Sequence, residues 1–149
     1  KKASHKKAYG KRYQEGMVKV YRKRKSSLEE EDPSSYRAQF LKEVMVAPKP
    51  MDMIEYNNLL YVLGAKENEL YIVNTDSFDV EMIIKLPISG FCNKITKINE
   101  NSNIALITNV VEKNYLIFDL DKKKTIQKVP IDTNLSDIVI VEKNINERL

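Results

Sequence analysis

"KNYLIFDLDKKKTIQKVP", residues 113–130, alternates apolar and polar positions, turns at the tetrad from Asp121 to Lys124, and alternates again. Period-two alternation on both sides of turn residues predicts a β-hairpin with one buried face. The hairpin does not stand alone. "NELYIVNTDSFDVEMIIKLP", residues 68–87, has the same shape, and Leu70–Thr75 align with Tyr115–Leu120 at an offset of 45. Leu59–Gly64 align with Ile104–Asn109 at that same offset of 45, whereas Pro87 aligns with Pro130, and Ile95 with Ile138, at 43. The drift is expected in the turn before the fourth strand, because connections tolerate changes in length.

From Met51 onward short apolar runs alternate with turn signals, the habit of an antiparallel all-β domain. The runs group by four, which predicts units over residues 51–87 and 93–130, with flanking strands at 40–47 and 137–142. Residues 33–47 admit two readings. Asp32 and Pro33 make a good N-cap and first helical position, with Tyr36, Phe40, Leu41 and Val44 as an apolar stripe. Alternatively "FLKEVMVAP" is a strand ending at Pro48, and the likeness of "VMVAPKPMDMI", residues 44–54, to the later unit junctions favours that strand as the fourth of a preceding unit.

Four strands in 40–50 residues is the period of a β-propeller blade. The segments resemble the WD40 and YVTN families. "IFDLDKKKTIQKV" is similar to the end of a WD repeat, with Phe118-Asp119 where the Trp-Asp pair would stand. "LYVLGAKENELYIVNTDSFDVEMIIKLP" is similar to a YVTN-type unit. Val73-Asn74 replaces Trp-Asp in the first copy and neither copy has a Gly-His pair, so the hydrogen-bond network of WD repeats is not implied. The resemblance implies an all-β fold of antiparallel four-stranded blades, a partial propeller of about two blades. A small repeating sandwich or barrel is the other architecture that fits. Propellers close with about four to eight blades. The expectation is therefore that further blades of a longer chain, a partner, or identical chains complete the ring, and an opening Lys1 in place of Met makes an excerpt the simplest of these.

The 149 residues suffice for one domain with a modest core, and 42% hydrophobic against 31% charged residues indicates a globular chain. No apolar run is long enough for a membrane-spanning helix. The net charge of +4 conceals an asymmetry: residues 1–25 hold eleven Lys and Arg against Glu15 alone, or +10, while residues 26–149 hold 14 basic and 20 acidic groups, or −6. The chain divides on this basis into a basic N-terminal arm with an acidic connector, residues 1–32, and a repeat region, residues 33–149. On a helix Tyr9, Tyr13, Met17, Val20 and Tyr21 would share one face. Gly10 and Gly16 each cost about 1 kcal/mol there. The arm is thus expected to be disordered alone and helical against a partner.

Catalytic signals are weak. His5 is the only histidine and cannot build a metal site or a Ser/His pair. Cys92 has no CxxC companion and reads as a semi-buried structural thiol. Asp76, Asp79, Asp119 and Asp121 could pair as acid and base, but all lie where Asp serves turns. No glycine-rich phosphate loop or other cofactor motif exists, and the sequon at Asn134–Ser136 carries no weight alone. The expectation is no enzyme and no cofactor.

The arm is the remaining signal. Lys6, Lys7, Lys11, Arg12, Lys19, Arg22, Lys23, Arg24 and Lys25 could contact phosphates, with Tyr9, Tyr13 and Tyr21 stacking on bases. "RKRK" at 22–25 also suits nuclear targeting, and a basic helix suits an acidic protein or an anionic membrane surface. Together these predict an interaction scaffold that docks protein partners while its arm touches RNA or DNA, in a nuclear or cytoplasmic, ribonucleoprotein-like setting. The alternative is an accessory or assembly factor with purely protein partners, and a secreted or periplasmic location stays open.

Overall fold

The computed structural model describes residues 6–12, 17–25, 36–46 and 49–132. These residues fold into three antiparallel sheets and no helix. The first sheet pairs β1 (Lys6–Arg12), β2 (Met17–Lys25) and β3 (Tyr36–Met45) in chain order. The second is a four-stranded meander of β4 (Pro50–Tyr56), β5 (Leu59–Gly64), β6 (Glu69–Asn74) and β7 (Val80–Lys85). The third repeats it with β8 (Cys92–Lys97), β9 (Ile104–Asn109), β10 (Asn114–Asp119) and β11 (Lys124–Pro130).

The two meanders are copies down to their irregularities. A bulge breaks the first pair of strands between Pro50 and Asp52, and again between Cys92 and Lys94. Another breaks the third pair at Ile72/Val73, and again at Ile117/Phe118. Bulges bend a strand and raise its twist, so both sheets are curved in the same places. Register also corrects the position of the drift. Glu69 pairs with Lys85 and Asn114 with Pro130, so Pro130 corresponds to Lys85 at the offset of 45, not to Pro87. The length change lies in the first hairpin instead. Asn57-Asn58 turns tightly with both residues at positive φ (51° and 64°), while residues 98–103 make a longer loop in the second copy. Two residues of positive φ are what a two-residue hairpin demands, and Asn is among the few side chains that accept it.

Strand alternation sends apolar side chains to both faces of the second sheet. Tyr61, Leu63, Leu70 and Ile72 pack against Ile95, Ala105, Ile107, Leu116 and Phe118 of the third sheet in one core. Leu60, Val62 and Val73, on the opposite face, meet Val18, Val44 and Val46 in a second core. A sheet buried on both faces is the middle layer of a stack, so the three sheets lie in chain order like successive blades.

The described part of residues 33–47 is a strand, since β3 runs from Tyr36 to Met45. The helical expectation for the arm is corrected, because β1 and β2 are strands paired with one another and with β3. The helical stripe through Met17 and Tyr21 gives way to Val18, which is fully buried against the second sheet. Val18, Val20 and Tyr21 favour a pleated surface, and Gly10 would have weakened a helix. Tyr13, Gly16, the 137–142 strand and the sequon lie outside the described residues.

Candidate functional site

Of the residues proposed for phosphate contact, Lys6, Lys7, Lys11 and Arg12 stand on β1 with Tyr9. Lys19, Arg22, Lys23, Arg24 and Lys25 stand on β2 with Tyr21. The register brings them together in a way no linear reading shows: Lys6 lies opposite Lys23, Lys7 opposite Arg22, and Arg24 opposite Arg37 of β3. Like charges directly opposite destabilise a sheet. Among the described residues of this sheet Lys19 is the basic residue whose register partner is an acid, Glu43. Arg37 was missed by the sequence reading, because only the β2–β3 register puts it beside the arm.

A second polar region forms at the hairpin ends of the other two sheets. A cleft of about 530 Å³ lies between the Glu55–Asn58 turn and Lys97, Glu100 and Asn101. The Lys97 ammonium donates to the Glu55 carbonyl (3.0 Å) and the Glu100 carbonyl (3.2 Å), so its charge closes two turns and bridges two sheets. Beside it the Tyr56 hydroxyl donates to Asp121 Oδ1 at 2.8 Å, which raises the Tyr56 pKa. Tyr61 is buried and donates to the Leu120 carbonyl at 2.7 Å, and burial pushes its pKa up to about 12.

The aspartates are turn residues. Asp119 Oδ1 accepts the N–H groups of Asp121 and Lys122, each at 2.9 Å. Asn74, at the same position of the first copy, accepts from the N–H groups of Asp76 and Ser77 at 2.8 and 3.0 Å. The pair of positions that resembles Trp-Asp thus serves as an Asx turn in both copies. Cys92 opens β8, is fully buried, and has its thiol pushed up to about 12 by desolvation, the wrong direction for a nucleophile. Among the described residues no group of three or more His, Cys, Asp or Glu side chains could hold a metal ion, and no helix is long and apolar enough to cross a membrane.

Two carboxylates give a pH dependence. Glu112 accepts hydrogen bonds from the Ser89 hydroxyl and from Asn114, which bring its pKa from 4.5 down to about 2. Asp119 is likewise held below its ordinary value, first by the Lys122 N–H. A depressed carboxylate adds stability above its unfolded pKa and loses it as pH falls through the folded one. Urea midpoints should therefore decline as pH drops from 4.5 toward about 2, and Glu112→Gln should flatten part of that decline. The Glu112 contribution will be small, because solvent screens that carboxylate.

No protein-family model matches the chain, and no curated protein matches it. Solved structures do. A dihydro-heme d1 dehydrogenase, NirN, in complex with DHE aligns with a TM-score of 0.61 at 10% identity, over 85% of this chain and 28% of that one. AztD from Citrobacter koseri aligns with a TM-score of 0.56 at 8% identity, over 83% of this chain and 32% of that one. Its apo form gives 0.54 at 8%, over 80% and 30%. Both proteins are β-propellers. The fold is that of a partial propeller. At these identities the likeness concerns fold alone, and the chain spans about a third of the length of the structures it matches.

The WD40 assignment gains no support, in keeping with the missing Gly-His pairs, and neither does a nuclear or ribonucleoprotein setting. The expectation that the chain is no enzyme is corrected as well. A dehydrogenase carries this fold at NirN, so the architecture does not argue against catalysis.

Proposed function

We propose that this propeller segment is an interaction scaffold whose blades dock protein partners while its first sheet contacts the phosphate backbone of RNA or DNA within a larger assembly. The supporting observation is the register of the first sheet. Three directly opposed pairs, Lys6 with Lys23, Lys7 with Arg22 and Arg24 with Arg37, gather like charge at one end of it. Such pairs oppose pairing unless anions neutralise them, and a polyanion does so while releasing its own counterions. Tyr9 and Tyr21 are spaced among these cations on the same two strands, where stacking on unpaired bases would add affinity.

Binding to a fluorescent single-stranded RNA tests the proposal. The logarithm of the association constant should fall linearly with that of salt, by about 0.7 for each phosphate neutralised. Reversing Arg22 and Lys23 to Glu should lower that slope by about 1 to 2. An affinity indifferent to both salt and charge reversal would overturn it.

A further inference from the structure

We infer that the open edge of β7 is a docking site for an extended peptide, which adds to the second sheet as a fifth strand. β7 ends that sheet, and among the described residues its sole strand partner is β6. The Leu86 N–H donates to the Asn68 carbonyl, which fixes the alternation along this pair. Ile84 and Met82 then turn their backbone groups toward β6, while Ile83 and Lys85 turn theirs to the open edge. Ile83 is 51% exposed, Met82 44% and Val80 38%. An exposed, apolar, hydrogen-bonding edge is what proteins usually guard against.

The chain supplies its own control. In β11 the Ile131 N–H donates to the Lys113 carbonyl, so the same alternation puts Lys128 and Pro130 at the positions of Ile83 and Lys85. Lysine and proline are two of the devices that blunt an edge, the second by removing the N–H altogether. The repeat therefore carries an edge guard in one copy and lacks it in the other. Even Lys85 is withdrawn, since its ammonium donates back to the Glu67 carbonyl. A fold requirement would act on both copies alike. The difference points to use.

Charge selects the occupant. The exposed carboxylates of Asp79 and Glu81 stand at the start of β7, with Glu81 accepting from Asn74 at 2.8 Å. The complementary ligand is an extended segment of alternating β-branched residues with a basic residue at the end beside Asp79 and Glu81. Main-chain bonds to Ile83 and Lys85 would supply affinity and the basic residue polarity. This gives the protein-docking half of the proposed function a location and rests on that half, not on the nucleic-acid half.

The probe is a fluorescein-labelled peptide of alternating Val and Thr with Lys-Lys at one end. It should bind saturably, slow hydrogen exchange at the Ile83 and Lys85 amides, and leave the amide of Lys128 unchanged. Ile83→Lys should weaken binding by about tenfold or more, and Ile83→Pro should do the same by deleting the outward N–H without touching the β6 pairing. Ile126→Lys on β11 should leave affinity as it was. Absence of binding, or binding that survives both Ile83 variants, would overturn the inference. Binding that survives moves docking elsewhere on the blades, whereas failure of the whole docking reading would show as loss of every peptide interaction with RNA binding intact.

Discussion

Phe118→Ala should destabilise the chain by about 3–5 kcal/mol, read as a lowered urea midpoint at constant slope. Phe118 is fully buried between the second and third sheets, where its ring meets that of Tyr61 edge-on, with centroids 6.4 Å apart and planes at 72°. Truncation removes the transfer free energy of the ring and leaves a cavity between two sheets whose strands are pinned by their own hydrogen bonds. Those sheets cannot close the gap cheaply, since Tyr61 is itself tethered to the Leu120 carbonyl at 2.7 Å. Phe118→Leu keeps most of the volume and should cost under about 1.5 kcal/mol. If the Ala variant lost no more than the Leu variant, the two sheets would not share a core, and the stacked-blade arrangement would fail with it.

How much of this could be read from the residues follows from what is local. Strand periodicity, turn chemistry and the 45-residue offset are written in neighbouring positions, so an all-β fold of antiparallel four-stranded sheets is legible there. Pairing is not local. Tyr9, Tyr13, Met17, Val20 and Tyr21 satisfy a helical period when taken alone, and what overrides it is that Val18 finds Val44 and Leu60. The opposed cations depend on the same non-local register. So does the contrast between Ile83 and Lys128, because composition cannot say which face of an edge strand holds the free N–H groups. The place of the length change misled for a different reason: Pro87 and Pro130 look equivalent as punctuation, yet one follows its strand and the other ends one.

The hydrogen bonds between the second and third sheets share a pattern. The Ile95 N–H donates to Asp52 Oδ2 at 3.0 Å, Tyr56 donates to Asp121, and Lys97 to the Glu55 carbonyl. These polar ties sit around the apolar core, where they fix the angle between adjacent sheets. The apolar core holds the sheets together by burial, and the directional bonds at its margins add a preferred orientation.

Asn68→Ala should cost about 2–4 kcal/mol, the larger part from stranded polar groups. Asn68 is 6% exposed at the β5–β6 turn, where its Nδ2 donates to the Gly90 carbonyl at 2.8 Å and the Ile88 carbonyl at 3.4 Å, and its Oδ1 accepts the Cys92 N–H at 3.1 Å. One side chain thereby holds the segment that carries the chain from the outer strand of one sheet to the first strand of the next. Alanine leaves the buried Cys92 N–H without its acceptor. It also inherits a φ of 54°, a left-handed conformation that Asn tolerates and Ala tolerates less well. Asn68→Gly separates the two costs, since it loses the same hydrogen bonds but not the backbone preference, and should be milder by about 1 kcal/mol. The segment has no slack with which to compensate: a Cβ at Gly90 would stand 2.9 Å from Asn109 Oδ1 and 3.1 Å from Val111 Cβ. Hydrogen exchange at the Cys92 amide should accelerate in both variants by more than the global loss of stability explains. An Ala variant as stable as the parent, with that amide still protected, would show that the backbone alone holds the crossing and that the Asn68 side chain does not set the pitch between blades.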